Sequence, residues 1–289
     1  MKIFISKVFY LILLVLLVNT ILYVTKIYIF DRQKYNRKYR EYSTSYNSYL
    51  FADSHGSPLT SEKYGVYNFS IAAESYLDME RKINFLIHVK KVRIDTLYIT
   101  VDDHTLAPRK ERSNNLDRSI YYATRQDFET IYDYIKYKYV LAYFVIFQPK
   151  FRLIVRKAVW TKIRKLVNSK QKTQKKREMS LEQFYNSRFG EREISKELTK
   201  SLLRIIGTCK ERNIILIGIK FPLRQDYVKL MEVKGNKSYG ADSIFKSTNI
   251  PVMDYKKIFN SHDELFSNQD HLNVLGGRKF AKLLLEKNK

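Results

Sequence analysis

The sequence predicts an α/β protein: a three-layer α/β/α sandwich with a mainly parallel sheet of about five strands, preceded by an N-terminal transmembrane helix. Three observations point there. Short runs rich in β-branched and aromatic residues alternate with segments whose apolar residues recur at helical spacing. Hydrophobic residues make up 45% of the 289, enough to build a packed core and to exclude wholesale disorder. The stretch "VFYLILLVLLVNTILYVT" (8–25) carries no charge and is long enough to cross a bilayer as a helix that satisfies its own backbone.

Residues 1–30 read as an uncleaved anchor. Lys2 and Lys7 precede the apolar run as in a signal sequence, but the run is long for one and no A-x-A site follows. Residues 31–45 are polar and Tyr-rich, a juxtamembrane stem. Lys26, Arg32, Lys34, Arg37, Lys38 and Arg40 make the C-terminal flank the more basic one. Positive-inside counting therefore favours a cytoplasmic domain, although long domains translocate despite such charge.

The domain 46–289 then unfolds in order. "YNSYLFA" (46–52) and "GVYNFSI" (65–71) are strands. In 74–91, Tyr76, Met79, Ile83, Leu86 and Ile87 mark a helix. "IDTLYITVDD" (94–103) is a strand, 104–120 a loop, and 125–147 a helix. A basic helical insertion occupies about 140–180; within it 152–167 is amphipathic and 168–180 almost free of apolar residues. In 191–213, Ile194, Leu198, Leu202 and Ile205 line one helix face. "IILIGIKFP" (214–222) and "IPVMDY" (250–255) are strands. The helix 275–288 turns Phe280, Leu283 and Leu284 inward. Cys209, the one cysteine, falls in a helical apolar pattern, so it is a core residue and no intrachain disulfide forms.

Ligands of such sheets bind beyond the carboxyl ends of the strands. Two polar motifs lie there: Asp53-Ser54-His55 and Asp102-Asp103-His104. A serine just after a strand and entering a helix exposes its Oγ and gains N–H donors and a positive field for an oxyanion. "NQDHLN" (268–273) places His271 in a polar loop before a glycine pair, from which a histidine can act as general base toward Ser54. Asp102, Asp103, His104 and His55 are also potential metal ligands, but no ligand spacing matches a known site, and the expectation is no metal and no cofactor.

"ADSHG" and "DHLNVLGG" together resemble the first and last blocks of the SGNH (GDSL-like) hydrolase superfamily, and most closely its membrane-anchored bacterial cell-envelope members of the DltD or AlgX/AlgJ type. The resemblance implies Ser54 as nucleophile and His271 as base. "VYNFSIAAESY" (66–76) is similar to the second block, which implies the backbone N–H groups of Ser54 and Ala73 as the oxyanion hole, with Ala73 where the family has glycine. "ITVDDH" stands where the third block would place an asparagine, and a protonated His104 is expected to assist there. Ala52 replaces the glycine before Asp-Ser. Asn268 replaces the family's triad aspartate; it can accept from Nδ1–H without supplying charge, and adjacent Asp270 is the candidate to supply it.

The implied activity is an esterase or acyltransferase acting on acetyl-type esters of a cell-envelope glycan, with the domain outside the cytoplasm at a single-pass membrane anchor. The formal net charge of +24 favours anionic partners, and the basic segment 150–177 suits anionic lipid. No nucleic-acid-binding signature accompanies that charge. The alternatives are a non-catalytic SGNH-like scaffold or glycan-binding protein, and a basic membrane-surface or nucleic-acid-binding protein.

Overall fold

The computed structural model describes residues 2–30, 39–112, 119–147, 160, 180–191 and 193–286. The expected amphipathic and polar segments 152–167 and 168–180 lie outside these residues, apart from Trp160 and Ser180. The chain divides into two compact units, one of residues 1–41 with 117–177, the other of 42–116 with 178–289.

The described residues of the first unit form helices and turns. The helix Lys2–Thr25 continues through a π turn, Lys26–Phe30. Its span Phe4–Tyr28 is long and apolar enough to cross a membrane. The segment 125–147 reads from its apolar pattern as one helix, but two caps break it up. Thr124 and Asp127 close a 3-10 turn, Arg125–Asp127, and Thr130 accepts from Asp133 N to start Ile131–Ile135. A π turn, Lys136–Val140, and the short helix Leu141–Tyr143 follow, so the helical run is 131–143. Lys138 Nζ donates to the carbonyls of Ile120, Tyr121 and Ala123, which fastens the run to the loop before it.

The second unit holds a sheet of five strands, all parallel: β1 (Ser48–Phe51), β2 (Val66–Asn68), β3 (Thr96–Thr100), β4 (Ile215–Lys220) and β5 (Val252–Asp254). Their order is β2-β1-β3-β4-β5. The order reverses between β1 and β3, so the crevice for a ligand lies beyond the carboxyl ends of those two strands.

Alternate strand residues face opposite layers. Leu50, Tyr98, Ile217 and Ile219 join Phe280, Ala281 and Leu284 of the terminal helix Val274–Glu286 in one core cluster. Phe51, Leu97, Ile99 and Leu216, in the other register, are buried as well. The helices Tyr76–Asn84 and Lys196–Glu211 pack on each other, burying Tyr76, Met79, Ile83, Leu198, Leu202, Ile205 and Cys209. Ile194, expected on that face, is 50% exposed because Ser195 caps the helix only after it. Leu283 is half-buried, and Leu285 takes the inward place beside Leu284. The helices Leu181–Phe189, Gln225–Val233 and Ala241–Ser247 have no counterpart in the sequence reading. The loop 104–120 includes a short helix, Pro108–Arg112.

Candidate active site

The β1 strand ends at Phe51, and after Ala52 the residues Asp53, Ser54 and His55 follow in a turn rather than in a helix; the next helical residues are the 3-10 turn Glu62–Tyr64. The helix N-terminus expected behind Ser54 is therefore not there, because Pro58 and Leu59 continue as a loop. Asn68, at the end of β2, holds that loop by donating to Gly56 O and Leu59 O at 2.8 and 2.9 Å. A Cβ on Gly56 would come within 2.3 Å of Ser70 Oγ, so only glycine lets the turn lie this close to the next strand.

The other half of the site comes from the C-terminal end. The loop 267–271 closes on itself through Ser267 N to His271 O, at 2.8 Å. The terminal helix then leads back across the opening turn, with Gly277 against Pro58. A Cβ there would meet Pro58 O at 2.2 Å. Gly277 thus lets the helix approach the turn of Ser54 closely, and residues 217 apart come into contact: Ser54 Oγ lies 2.6 Å from His271 Nε2.

The tautomer of His271 follows from its neighbours. Asn268 Oδ1 accepts from the backbone N–H of Asp270 and of His271, at 3.1 and 3.0 Å, which fixes the oxygen rather than the amide nitrogen toward the ring. His271 Nδ1–H therefore donates to Asn268 Oδ1, at 2.9 Å, and Nε2 is left as acceptor for the Ser54 hydroxyl. Asp270 Oδ1 is closer to Nδ1, at 2.5 Å, but off the line of an N–H···O bond. Alignment and charge thus come from two different side chains. Asn268 aligns the ring, and Asp270 sets a negative charge against it.

Asp270 is buried (2% exposed), while Ser54 and His271 are partly open to solvent. Burial by itself raises the Asp270 carboxyl. The close rings of His271 and His55 and the charge of Arg188 outweigh it and hold the group well below the usual carboxylate range. Arg188 reaches Asp270 Oδ2 at 2.6 Å, and His55 Nε2 lies 3.4 Å from the same oxygen.

His55 is the centre of this network. Its Nδ1 is 2.6 Å from Asp53 Oδ1 and 3.7 Å from Asp102 Oδ2. Its ring stacks on His271 at 4.6 Å with 9° between planes. Burial lowers its pKa, but Asp53, Asp270 and Asp102 together push it up to about 10. It is an imidazolium at neutral pH. Asp53, raised by burial and pulled down further by Lys110 and His55, lies well below the usual range. Lys110 Nζ bridges Asp53 Oδ2, at 2.5 Å, to Glu74 O, at 3.1 Å. That bridge ties the residue before Ser54 to the residue after Ala73.

Ala73 sits in an exposed turn at φ +63°, in the left-handed region that favours glycine. Glu74 braces the turn by accepting from Ile71 N at 3.1 Å, and it pairs with buried Lys82.

His104 has a different state from the one expected. Burial, followed by the charges of Arg188, Lys110 and His55, holds its pKa well below the ordinary value. It is a neutral ring, 5.6 Å from His55, and a protonated His104 is excluded as an oxyanion donor. Asp103 is neutralised between Lys220, at 2.6 Å, and Lys256, at 3.0 Å. Asp102 accepts from Phe221 N and Thr100 Oγ1, locking the ends of β3 and β4 together.

No protein-family model, curated protein or solved structure matches this chain. The geometry of the site is thus the ground for any functional reading.

Donor atoms of Asp53, His55 and His104 lie within 4.8 Å of one another, as do those of His55, Asp270 and His271. Lys110 occupies Asp53 and Arg188 occupies Asp270, so each set already carries a cation on its carboxylate. Sequence reasoning missed the roles of Asp53, Lys110, Arg188 and the charged His55. Only the Asp53-x-His55 spacing signals any of them. Arg188 reaches Asp270 from 82 residues away, and no local pattern marks it.

Proposed function

We propose that this chain is a membrane-anchored, SGNH-like serine esterase or O-acyltransferase. It acts on acetyl-type esters of a cell-envelope glycan, with the sheet domain outside the cytoplasm. The observation that carries the reading is the 2.6 Å contact between Ser54 Oγ and His271 Nε2, with Nδ1 held by Asn268 and faced by the Asp270 carboxylate.

In the first half-reaction Ser54 Oγ attacks the acyl carbonyl as its proton passes to His271 Nε2. The backbone N–H groups of Ser54 and Ala73 stabilise the oxyanion. Collapse breaks the ester C–O bond, and His271 returns the proton to the departing sugar hydroxyl. In the second half-reaction His271 takes a proton from water or from an acceptor hydroxyl, which attacks the acyl-serine; the acyl C–Oγ bond breaks and His271 returns the proton to Ser54 Oγ. Asp270 offsets the positive charge that His271 acquires in each half. A polar acceptor suits the same edge of the sheet, where a cleft of about 500 Å³ is lined by Lys220, Asp242, Asp254 and Lys256 over Leu223 and Met231. The helix Lys2–Thr25, with its apolar span, supports the anchor.

The test is turnover of an aryl acetate and labelling with a serine-reactive fluorophosphonate. The wild-type chain forms an adduct at Ser54 and releases acetate; Ser54→Ala does neither while keeping its circular dichroism spectrum. Absence of an adduct in the wild type, or equal turnover in the variant, transfers the case to a non-catalytic scaffold.

A further inference from the structure

The helical run 131–143 inverts the ordinary surface pattern. Its most exposed side chains are Ile131, Tyr132, Ile135, Tyr139 and Val140, from 43% to 69% exposed. Asp133, Lys136 and Lys138 are half-buried. Ile131, Ile135 and Tyr139 recur every fourth residue, the spacing of one helix stripe. Phe147, in the following 3-10 turn, is 61% exposed. Lys136 Nζ lies over the rings of Tyr132 and Tyr137, at 5.8 and 5.5 Å, with its stem along the apolar surface.

This run is fastened to the apolar helix. Asn19 Nδ2 donates to Tyr143 O at 3.0 Å. Thr20 Oγ1 and Tyr143 Oη are 2.8 Å apart, and the Tyr23 and Tyr143 rings stand 5.4 Å apart. Asn19, Thr20 and Tyr23 all fall within the span Phe4–Tyr28. With a rise of about 1.5 Å per residue, they lie roughly 7 to 13 Å inside its C-terminal end. When that span crosses a bilayer, Tyr143 is below the membrane surface. A run of this length reaches only about 20 Å, too short to span, but its exposed stripe is then level with the boundary between headgroups and acyl chains.

We propose that residues 131–147 form a second membrane element, an interfacial helix. Its stripe of Ile131, Ile135, Tyr139 and Val140 rests on the acyl chains of a phospholipid bilayer, beside the helix that crosses it. The inference rests on reading the N-terminal helix as the anchor. What selects lipid over another occupant is continuity: the exposed stripe begins where the contact with the membrane-crossing helix ends. Tyrosine and lysine at its margin suit the headgroup level.

The test uses the full-length chain in phosphatidylcholine vesicles with or without brominated acyl chains. Trp160→Phe removes the only tryptophan, and single probes are placed by Leu13→Trp, Ile135→Trp, Tyr139→Trp and Ile258→Trp. Ile258 is an exposed residue of the sheet unit. The expected result is at least twofold quenching by bromolipid for Leu13→Trp, Ile135→Trp and Tyr139→Trp, and none for Ile258→Trp. If Leu13→Trp is quenched while Ile135→Trp and Tyr139→Trp behave like Ile258→Trp, as under a second copy of the chain, the interfacial helix is overturned and the anchor stands. If Leu13→Trp is not quenched either, the anchor reading falls and takes the inference with it.

Discussion

His55 and His271 stack face to face, with ring centroids 4.6 Å apart. One is an imidazolium held among carboxylates, and the other faces the candidate nucleophile. Asp270 reaches a nitrogen of each ring, His271 Nδ1 with Oδ1 and His55 Nε2 with Oδ2. A single buried carboxylate therefore faces two fixed positive charges, His55 and Arg188, and in the proposed reaction a third that arises on His271.

The division between Asn268 and Asp270 is open to a direct test. Asp270→Asn keeps the size of the group but removes its charge, and kcat on an aryl acetate is expected to fall by about 10³ to 10⁴. Asn268→Ala leaves the charge and removes the aligned acceptor, and a smaller loss, about 10-fold to 100-fold, is expected. Steady-state kinetics on the two variants decide the matter. Equal losses would refute the division.

The raised pKa of His55 makes stability depend on pH. Its ordinary value is 6.5 and its folded value about 10. Below about pH 6.5 both folded and unfolded chains hold the proton, and the full stabilisation is present. As pH climbs toward 10 the unfolded chain releases that proton first, so stability declines. Denaturant midpoints of the solubilised chain are expected to fall between pH 7 and 10, and His55→Gln is expected to flatten that slope.

The pair Glu74–Lys82 lies wholly out of solvent. Lys82 also donates to Phe69 O at 2.8 Å, so it links the brace of the Ala73 turn to the residue after β2. Burial already pushes the Glu74 pKa up to about 8 with Lys82 in place, so in Lys82→Met the carboxyl takes up a proton, and the lost pairing and the lost bond to Phe69 O are expected to destabilise the chain by about 1–3 kcal/mol at neutral pH and by more as pH rises. Adding Glu74→Gln removes the titrating group and is expected to abolish that pH dependence. Chemical denaturation of both variants measures it.

Gly277→Ala tests the approach of the terminal helix. The new methyl group meets Pro58 O, and the helix must move away from the nucleophile turn. Because Ser54 and His271 are set by that approach, fluorophosphonate labelling at Ser54 is expected to slow at least tenfold. The far-UV circular dichroism is expected to stay that of a folded chain. Unchanged labelling would separate Gly277 from the site.

Some of this was legible along the chain. Ile, Leu, Tyr and Phe in the runs 48–51, 96–100 and 215–220 marked the strands, because a strand buried on both faces needs apolar residues on both. Caps were less visible: Ser195 starts its helix later than the apolar pattern does, and Thr130 divides 125–147. The helices Gln225–Val233 and Ala241–Ser247 escaped because their short apolar patterns draw stability from packing rather than from periodicity.

The sequence by itself determined the α/β alternation, the apolar N-terminal span and the two polar blocks carrying Ser54 and His271. These are local patterns, written in the spacing of residues a few positions apart. Only the tertiary structure decided that the strands order as β2-β1-β3-β4-β5, that Asp270 faces His271 while Asn268 aligns it, and that His55 is charged and His104 neutral. Those properties depend on burial and on charges such as Lys110 and Arg188, 57 and 82 residues from their partners, and desolvation and Coulomb energy follow distance in space rather than along the chain.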